Sequence, residues 1–191
     1  MSLSKLLYGP SIRLTALTRD DVPTMIRWHH DSEFARLFDS NPAYPKTEDM
    51  LNQWLDRRQK ASDAFIFAIR LLDDDGLLGV VEIDGIEWTN QVGWMSIGLG
   101  DSPNWGKGYG NEATRLVLGF AFNELNLHRV QLTVFDYNQR AINMYEKLGF
   151  QREGVYREFL QRDGRRFDMY LYGLLRHEWD AREKGRGSSG L

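Results

Sequence analysis

The sequence predicts a single α/β domain built on a mixed sheet, and three observations predict it. Residues 64–72, 77–88 and 92–99 are apolar or alternating runs separated by short turns, the pattern of an antiparallel meander. From residue 92 to 135 the order becomes strand, helix, strand, which a parallel βαβ unit requires. The chain has 191 residues with 42% hydrophobic side chains and a net charge of -3, which fits one folded domain.

The elements follow in order. Residues 11–18 alternate through Ile12, Leu14 and Ala16, a short strand. Thr18 before Asp20 and Asp21 opens a helix reaching about His30, and Thr47 before Glu48 and Asp49 opens another. The second carries an apolar stripe of Met50, Leu51, Trp54 and Leu55. Asn41-Pro42 and Tyr44-Pro45 read as a loop between the two helices. Asp73-Asp74-Asp75-Gly76 is a hairpin turn in which Gly76 is expected to supply a positive φ. Thr89-Asn90-Gln91 joins the next two strands. A helix over 109–125 places Ala113, Leu116, Val117, Phe120, Ala121 and Leu125 at spacings of three and four. A strand over 129–135 leads to a helix over 139–148, ended by Gly149 as a left-handed cap. Residues 150–161 and 166–174 form a last hairpin through Arg162-Asp163-Gly164, followed by a short polar helix over 177–184. The domain is expected to occupy residues 8–184, with 1–7 and 185–191 as flexible ends.

Composition removes several function classes. The absence of cysteine excludes thiolate nucleophiles, disulfides and cysteine zinc sites. The four histidines have no metal-ligand spacing, so no metal is expected. Leu6-Leu7-Tyr8 is too short an apolar run for a signal peptide or membrane span, so no membrane association and a cytoplasmic location are expected. Arg57-Arg58 and Arg165-Arg166 are too sparse for a nucleic-acid footprint.

The chemistry concentrates in Trp105-Gly106-Lys107-Gly108-Tyr109-Gly110-Asn111, directly before the helix over 109–125. Alternate glycines feeding a helix start aim free N–H groups, and the positive end of the helix dipole, at one spot. That is an anion site, and phosphate is the usual anion. A Walker loop fits poorly because Gly108, not a hydroxyl residue, follows Lys107. A dinucleotide loop fits poorly because the glycines follow a late strand and no acid terminates a strand twenty residues on.

This loop resembles the Arg/Gln-x-x-Gly-x-Gly/Ala pyrophosphate loop of the GCN5-related N-acetyltransferases, the GNAT superfamily. Asn138-Gln139-Arg140-Ala141-Ile142-Asn143-Met144-Tyr145 followed by Gly149-Phe150 resembles the second cofactor motif of that superfamily, one helix and one strand further on. Ile12-Arg13-Leu14, Gly154-Val155-Tyr156-Arg157 and Asp168-Met169-Tyr170 are similar to the ribosomal-protein and spermidine acetyltransferase branch. Trp105 stands where Arg or Gln is common, so the pyrophosphate is expected to lean on backbone amides there.

The resemblance implies acetyl-CoA as co-substrate and direct attack by an amine in a ternary complex. It places the pyrophosphate among Gly106, Lys107, Gly108, Tyr109, Gly110 and Asn111, beside Trp105. The pantetheine arm would lie along the strand Ser96-Ile97-Gly98-Leu99, chiefly at Ile97, Gly98 and Leu99, in a gap where this strand splays from the one after the helix. Gly98 fits a bulge or close backbone approach there, or a small residue needed for packing. Asn138 would bind a pantetheine amide, although Asn before a helix is also an ordinary N-cap. Arg140 is open between the cofactor phosphates and a surface ion pair, and Asn143 is a weaker candidate. Tyr145 is implied as the proton donor to the departing thiolate; by itself the residue also reads as core. Glu82, polar in an apolar strand, is the candidate base, facing either the acceptor groove or solvent. Related enzymes often carry an acid on the following strand, where this chain has Trp94. That departure keeps a second reading open, a catalytically silent coenzyme A or acyl-CoA sensor. The aromatic-rich segment holding Trp28, His29, His30, Phe34, Phe38, Tyr44 and Trp54 is expected to help build the acceptor site. Protein N-termini, polyamines and other small amines all remain open as acceptors, as does a homodimer.

Overall fold

The computed structural model describes residues 6–187. The elements are β1 (Ile12–Ala16), α1 (Val22–His29), α2 (Ser32–Phe38), α3 (Glu48–Lys60), β2 (Phe65–Leu71), β3 (Leu77–Glu87) and β4 (Val92–Leu99). Then come α4 (Tyr109–Asn123), β5 (Arg129–Phe135), α5 (Gln139–Leu148), β6 (Gln151–Arg162), β7 (Arg165–Leu175) and α6 (Arg176–Gly187). The strands form one sheet in the order β1-β2-β3-β4-β5-β7-β6. Only β4 and β5 pair in parallel, so the antiparallel half and the βαβ unit meet in the middle of the sheet.

Helices cover both faces. Leu17, Val22, Met25, Trp28, Phe34, Leu51 and Leu55 pack with Ala68 and Val80 on one face. On the other, Ala113, Val117, Leu118, Ile142, Leu148 and Trp179 pack with Val81, Ile83 and Met95. Neighbouring residues Val80 and Val81 serve opposite faces, which is why β3 reads as a continuous apolar run. By the same alternation Glu82 lies on the face of Val80, under α3.

Local signals place most boundaries. The Thr47 hydroxyl accepts the Met50 N–H at 3.3 Å and starts α3. Gly149, at φ 103°, ends α5 in the left-handed region. Asp163 and Gly164, at φ 48° and 73°, make the two-residue β6–β7 turn. Gly76 departs from expectation: it is not among the positive-φ residues, and its N–H donates to the Asp74 carboxylate at 2.9 Å, so the aspartate makes the turn. The expectation of a single loop between the first two helices is also corrected by α2. Its N-cap Asp31 accepts the Glu33 N–H at 2.8 Å, but its 7 residues are too few to display a period.

Residues 6–7 belonged to an expected flexible end, yet Leu7 packs on the core and its carbonyl accepts the Leu14 N–H at 2.8 Å. At the other end α6 continues past Lys184 to Gly187. Residues 1–5 and 188–191 of the expected flexible ends lie outside the described residues.

Two contacts aim α4 at the site. Glu112, in its first turn, accepts the N–H groups of Ser11 and Ile12 at 2.8 and 2.9 Å, anchoring the helix start to β1. Ahead of the loop, the Trp28 ring lies over Gly100, where an added Cβ would meet Cε2 at 1.8 Å. Gly100→Ala is therefore expected to cost about 2 kcal/mol through overpacking, read as a lower urea midpoint at constant m-value.

Candidate active site

The parallel pairing of β4 with β5 stops at Trp94–Gln131, although β4 runs on to Leu99 and β5 to Phe135. The splay expected from the resemblance is present. Backbone direction along β4 follows from its pairing with β3. The Gly100 N–H donates to the Leu78 carbonyl at 3.0 Å, and hydrogen-bonded positions alternate. Ser96 and Gly98 thus turn their backbone groups to β3, while Met95, Ile97 and Leu99 turn theirs into the gap. A cavity of about 1020 Å³ fills the opening and reaches both faces of the sheet.

At one mouth lies the glycine loop. Gly106 and Gly108 sit at φ 77° and 92°, and a Cβ on either would meet nothing within 4 Å. Their conformation and the open space before them, not local crowding, explain these glycines. Gly108 is the N-cap of α4 and supplies no side-chain cap. The first intrahelical bond runs from Glu112 N–H to the Gly108 carbonyl at 3.0 Å, so the amides of Tyr109, Gly110 and Asn111 precede it and have no helical acceptor. Gly110 serves packing instead. A Cβ there would lie 3.3 Å from the Met144 sulfur, so the glycine sets the approach of α4 to α5. Gly106, Gly108, Gly110 and Asn111 line the cavity. The side chain of Lys107 is exposed and that of Tyr109 packs on the core, so neither lines it.

Trp105 Nε1 donates to the Leu99 carbonyl at 2.8 Å, closing the end of the β4 edge. The Arg140 guanidinium lies 4.0 Å from the centre of the Trp105 ring. Neither sequence alternative for Arg140 named this contact, which holds the cation beside the loop. Asn138 is the N-cap of α5, accepting the Ala141 N–H at 3.2 Å, and it also lines the cavity. Asn143 lines it too, with its side-chain carbonyl accepting from Gln139 at 2.7 Å. Tyr145 is 6% exposed, its ring edge-on to Phe150 at 5.7 Å, and it faces the same cavity. Burial pushes its phenol well above the ordinary tyrosine range.

The opposite mouth is built from β3, β4, α2 and α3. Glu82 faces the cavity rather than solvent and is 7% exposed. Its Oε1 accepts the Ser96 hydroxyl at 3.0 Å. Its Oε2 lies 3.3 Å from Arg58 Nε, without an N–H aligned to it, and has no hydrogen-bond partner among the described residues. Arg58 also reaches Asp84 at 2.9 Å. Burial raises the Glu82 pKa most; Arg58 opposes that, Asp84 adds to it and Ser96 opposes it, with a net rise. Asp84 stands directly across from Trp94, so an acid does line the cavity beside that tryptophan. Sequence reasoning missed Asp84 and Arg58, and it named Ser96 for its backbone and not for the hydroxyl that meets Glu82. Asp84 was within reach, because residues two apart on a strand share a face with Glu82. Arg58 was not, since a long-range contact from α3 carries no local signal.

Gly98 is corrected in one respect. No bulge occurs there, and a Cβ would strike Phe38 Cδ2 at 2.6 Å, so the packing reading accounts for the glycine. Of the aromatic-rich segment, Phe34 and Phe38 line the cavity, stacked at 5.4 Å. Trp28, His29, His30, Tyr44 and Trp54 do not line it; Trp28 is core and Tyr44 is exposed beneath Lys46.

The opened mixed sheet and the glycine loop ahead of α4 are the features that the resemblance to N-acetyltransferases implied. Residues 11–151 match the acetyltransferase (GNAT) domain, and the chain belongs to that family of N-acetyltransferases. It is 26% identical to the uncharacterized N-acetyltransferase p20 of Bacillus licheniformis, over 91% of this chain and 97% of that protein. It is 24% identical to the spermidine N(1)-acetyltransferase of Escherichia coli K12, over 94% of each. Among solved structures, the spermidine N-acetyltransferase from Vibrio cholerae in complex with CoA and spermine has the same fold. The match has a TM-score of 0.82 at 23% identity and covers 90% of this chain and 99% of that one. No described helix is long and apolar enough to cross a membrane.

Proposed function

We propose that this protein transfers the acetyl group of acetyl-CoA directly to a primary amine, with Glu82 as base and Tyr145 as proton donor. The observation that carries the reading is Glu82, a buried carboxylate that lines the cavity and whose Oε2 has no hydrogen-bond partner among the described residues. A buried acceptor left open in this way suits an N–H group brought by a ligand.

The residues present fit acetyl-CoA. The cradle at Gly106 and Gly108 has room that a Cβ would fill, and the amides of residues 109–111 offer an anion their free hydrogens. The backbone edge at Ile97, and the N–H of Leu99, whose carbonyl already accepts from Trp105, suit an amide-bearing arm, with Asn138 at the far side of the gap. Lys107 and Tyr109 would contribute through their backbone amides. When bound, acetyl-CoA supplies the acetyl group as an activated thioester.

The protein's own groups divide the remaining work between the two faces. On the α3 face, the Glu82 carboxylate takes the proton that the amine must lose, and Arg58 and Ser96 hold it in place. On the α5 face, Tyr145 keeps its phenolic proton throughout the neutral range and presents it where negative charge develops. The sheet opening lets groups on opposite faces address one reacting centre. Asp84 beside Trp94 weakens the sensor alternative, whose motive was a missing acid.

Release of free thiol from acetyl-CoA over an amine panel containing spermidine, small aryl amines and free peptide N-termini tests the reaction. Coenzyme binding without thiol release on any amine would overturn it. Gly108→Ala tests the cradle. A left-handed alanine costs about 1–2 kcal/mol, and its Cβ would enter the anion site. The expected result is a coenzyme A Kd raised about tenfold with kcat at saturation little changed, read by calorimetry and initial rates.

A further inference from the structure

We infer that the tip of the β6–β7 hairpin is a clamp that positions the acceptor wall of the cavity, with Arg162 as the positioning residue. The inference rests on the proposed reaction, in which the amine enters on the α2–α3 face.

That wall is the end of α2 and the residues after it: Phe38, Asp39 and Ser40 all line the cavity. A helix of 7 residues has no stability of its own in water, so outside contacts must fix its place. Apolar packing comes from nearby, through Phe34 on Trp28, whereas the hydrogen bonds come from more than a hundred positions away in the sequence. The Tyr137 hydroxyl donates to the Arg36 carbonyl at 2.7 Å. Arg162 Nη2 donates toward the carbonyls of Asp39, Ser40 and Asn41 at 3.0, 3.2 and 2.9 Å. Arg36 in turn forks onto Asp163 at the hairpin tip, with both contacts at 2.8 Å.

The Tyr137 hydroxyl takes one of the carbonyls that the last turn of α2 leaves without a helical partner. The Arg162 bonds fall on the extended segment that follows, where one guanidinium nitrogen fixes the course of the chain from Asp39 to Asn41. The exposed Arg36–Asp163 pair adds little on its own. Arg162 is half-buried and addresses three consecutive carbonyls, so it carries the clamp. The hairpin also reaches the cavity directly, through Phe159 on β6 and Met169 on β7. It therefore links one edge of the sheet to the wall against which an acceptor would rest. None of the three Arg162 bonds touches the glycine loop or the start of α5, so coenzyme binding should not depend on it.

The test uses the whole chain with Arg162→Gln and Arg162→Lys, followed by amide hydrogen exchange, coenzyme A titration and initial rates with spermidine and 2-phenylethylamine. For Arg162→Gln, exchange over residues 33–41 should quicken about tenfold or more while that of α4 stays unchanged. The KM for an amine that is turned over should rise about tenfold, with kcat within about threefold and the coenzyme A Kd unchanged. Arg162→Lys keeps the charge and part of the bonding, and should fall between the two. Unchanged exchange over 33–41, an unchanged amine KM, or a coenzyme affinity that falls in step with the amine would each overturn the clamp. If the parent acetylates neither amine, the functional reading is what suffers, and the exchange data alone decide the clamp.

Discussion

Tyr145→Phe is expected to lower kcat about 100-fold while leaving the fold and the coenzyme A Kd nearly unchanged. The separation follows from what the hydroxyl does in the structure. The ring is core: it is 6% exposed and packs edge-on against Phe150, contacts that phenylalanine keeps. Burial alone raises the phenol, so the hydroxyl is not engaged with a neighbouring charge. Its removal should therefore cost little stability and delete only the proton held toward the cavity. Because the pKa moves upward, the parent's rate should show no alkaline limb from Tyr145 below about pH 10. Rapid-quench and steady-state rates at saturating substrates measure the effect. An unchanged turnover number would remove Tyr145 from the chemistry.

Glu82→Gln is expected to lower kcat/KM by about 100-fold to 1000-fold without destabilising the protein. The base must be ionised to act, and burial raises its pKa. The parent's kcat/KM should thus fall as pH drops through a value above that of ordinary glutamate, about 4.3, and the variant should lose this acidic limb. Stability should move the other way. A carboxyl whose pKa is raised on folding binds its proton more tightly in the folded state. Its ionisation works against the fold once the pH rises above the unfolded value. At pH 7.5 the neutral glutamine removes that cost, and Arg58 keeps Asp84 at 2.9 Å. The variant should melt no lower than the parent at neutral pH, and any advantage should vanish below about pH 4.3. A thermal scan beside a pH–rate profile measures both. Activity retained with the acidic limb intact would assign the base elsewhere.

These two residues were legible for different reasons. Tyr145 stood in a block with fixed spacing, and α5 begins and ends where Asn138 and Gly149 place it. Glu82 was visible as one polar residue in an apolar strand, but alternation alone left two facings open. The packing of α3 on that face settled the matter, because Arg58 arrives from a helix 24 positions upstream. The glycine loop was legible as an anion cradle, yet its three glycines differ in kind. Gly106 and Gly108 provide backbone freedom, whereas Gly110 gives Met144 room to approach. Arg140 shows the limit most clearly: its partner is the ring of Trp105, a pairing that no spacing rule suggests.

By itself the sequence determined the order of the strands and of every helix but α2, the mixed sheet, the βαβ unit and the glycine loop before α4. Those depend on periodicity, caps and turn residues, which act over a few positions. Tertiary structure alone decided the opening between β4 and β5, the Arg58–Glu82–Asp84 cluster, and the place of α2 under the grip of Arg162. The physical reason is range. Burial, charge pairing and the satisfaction of backbone carbonyls outside regular structure are set by atoms brought together from distant parts of the chain.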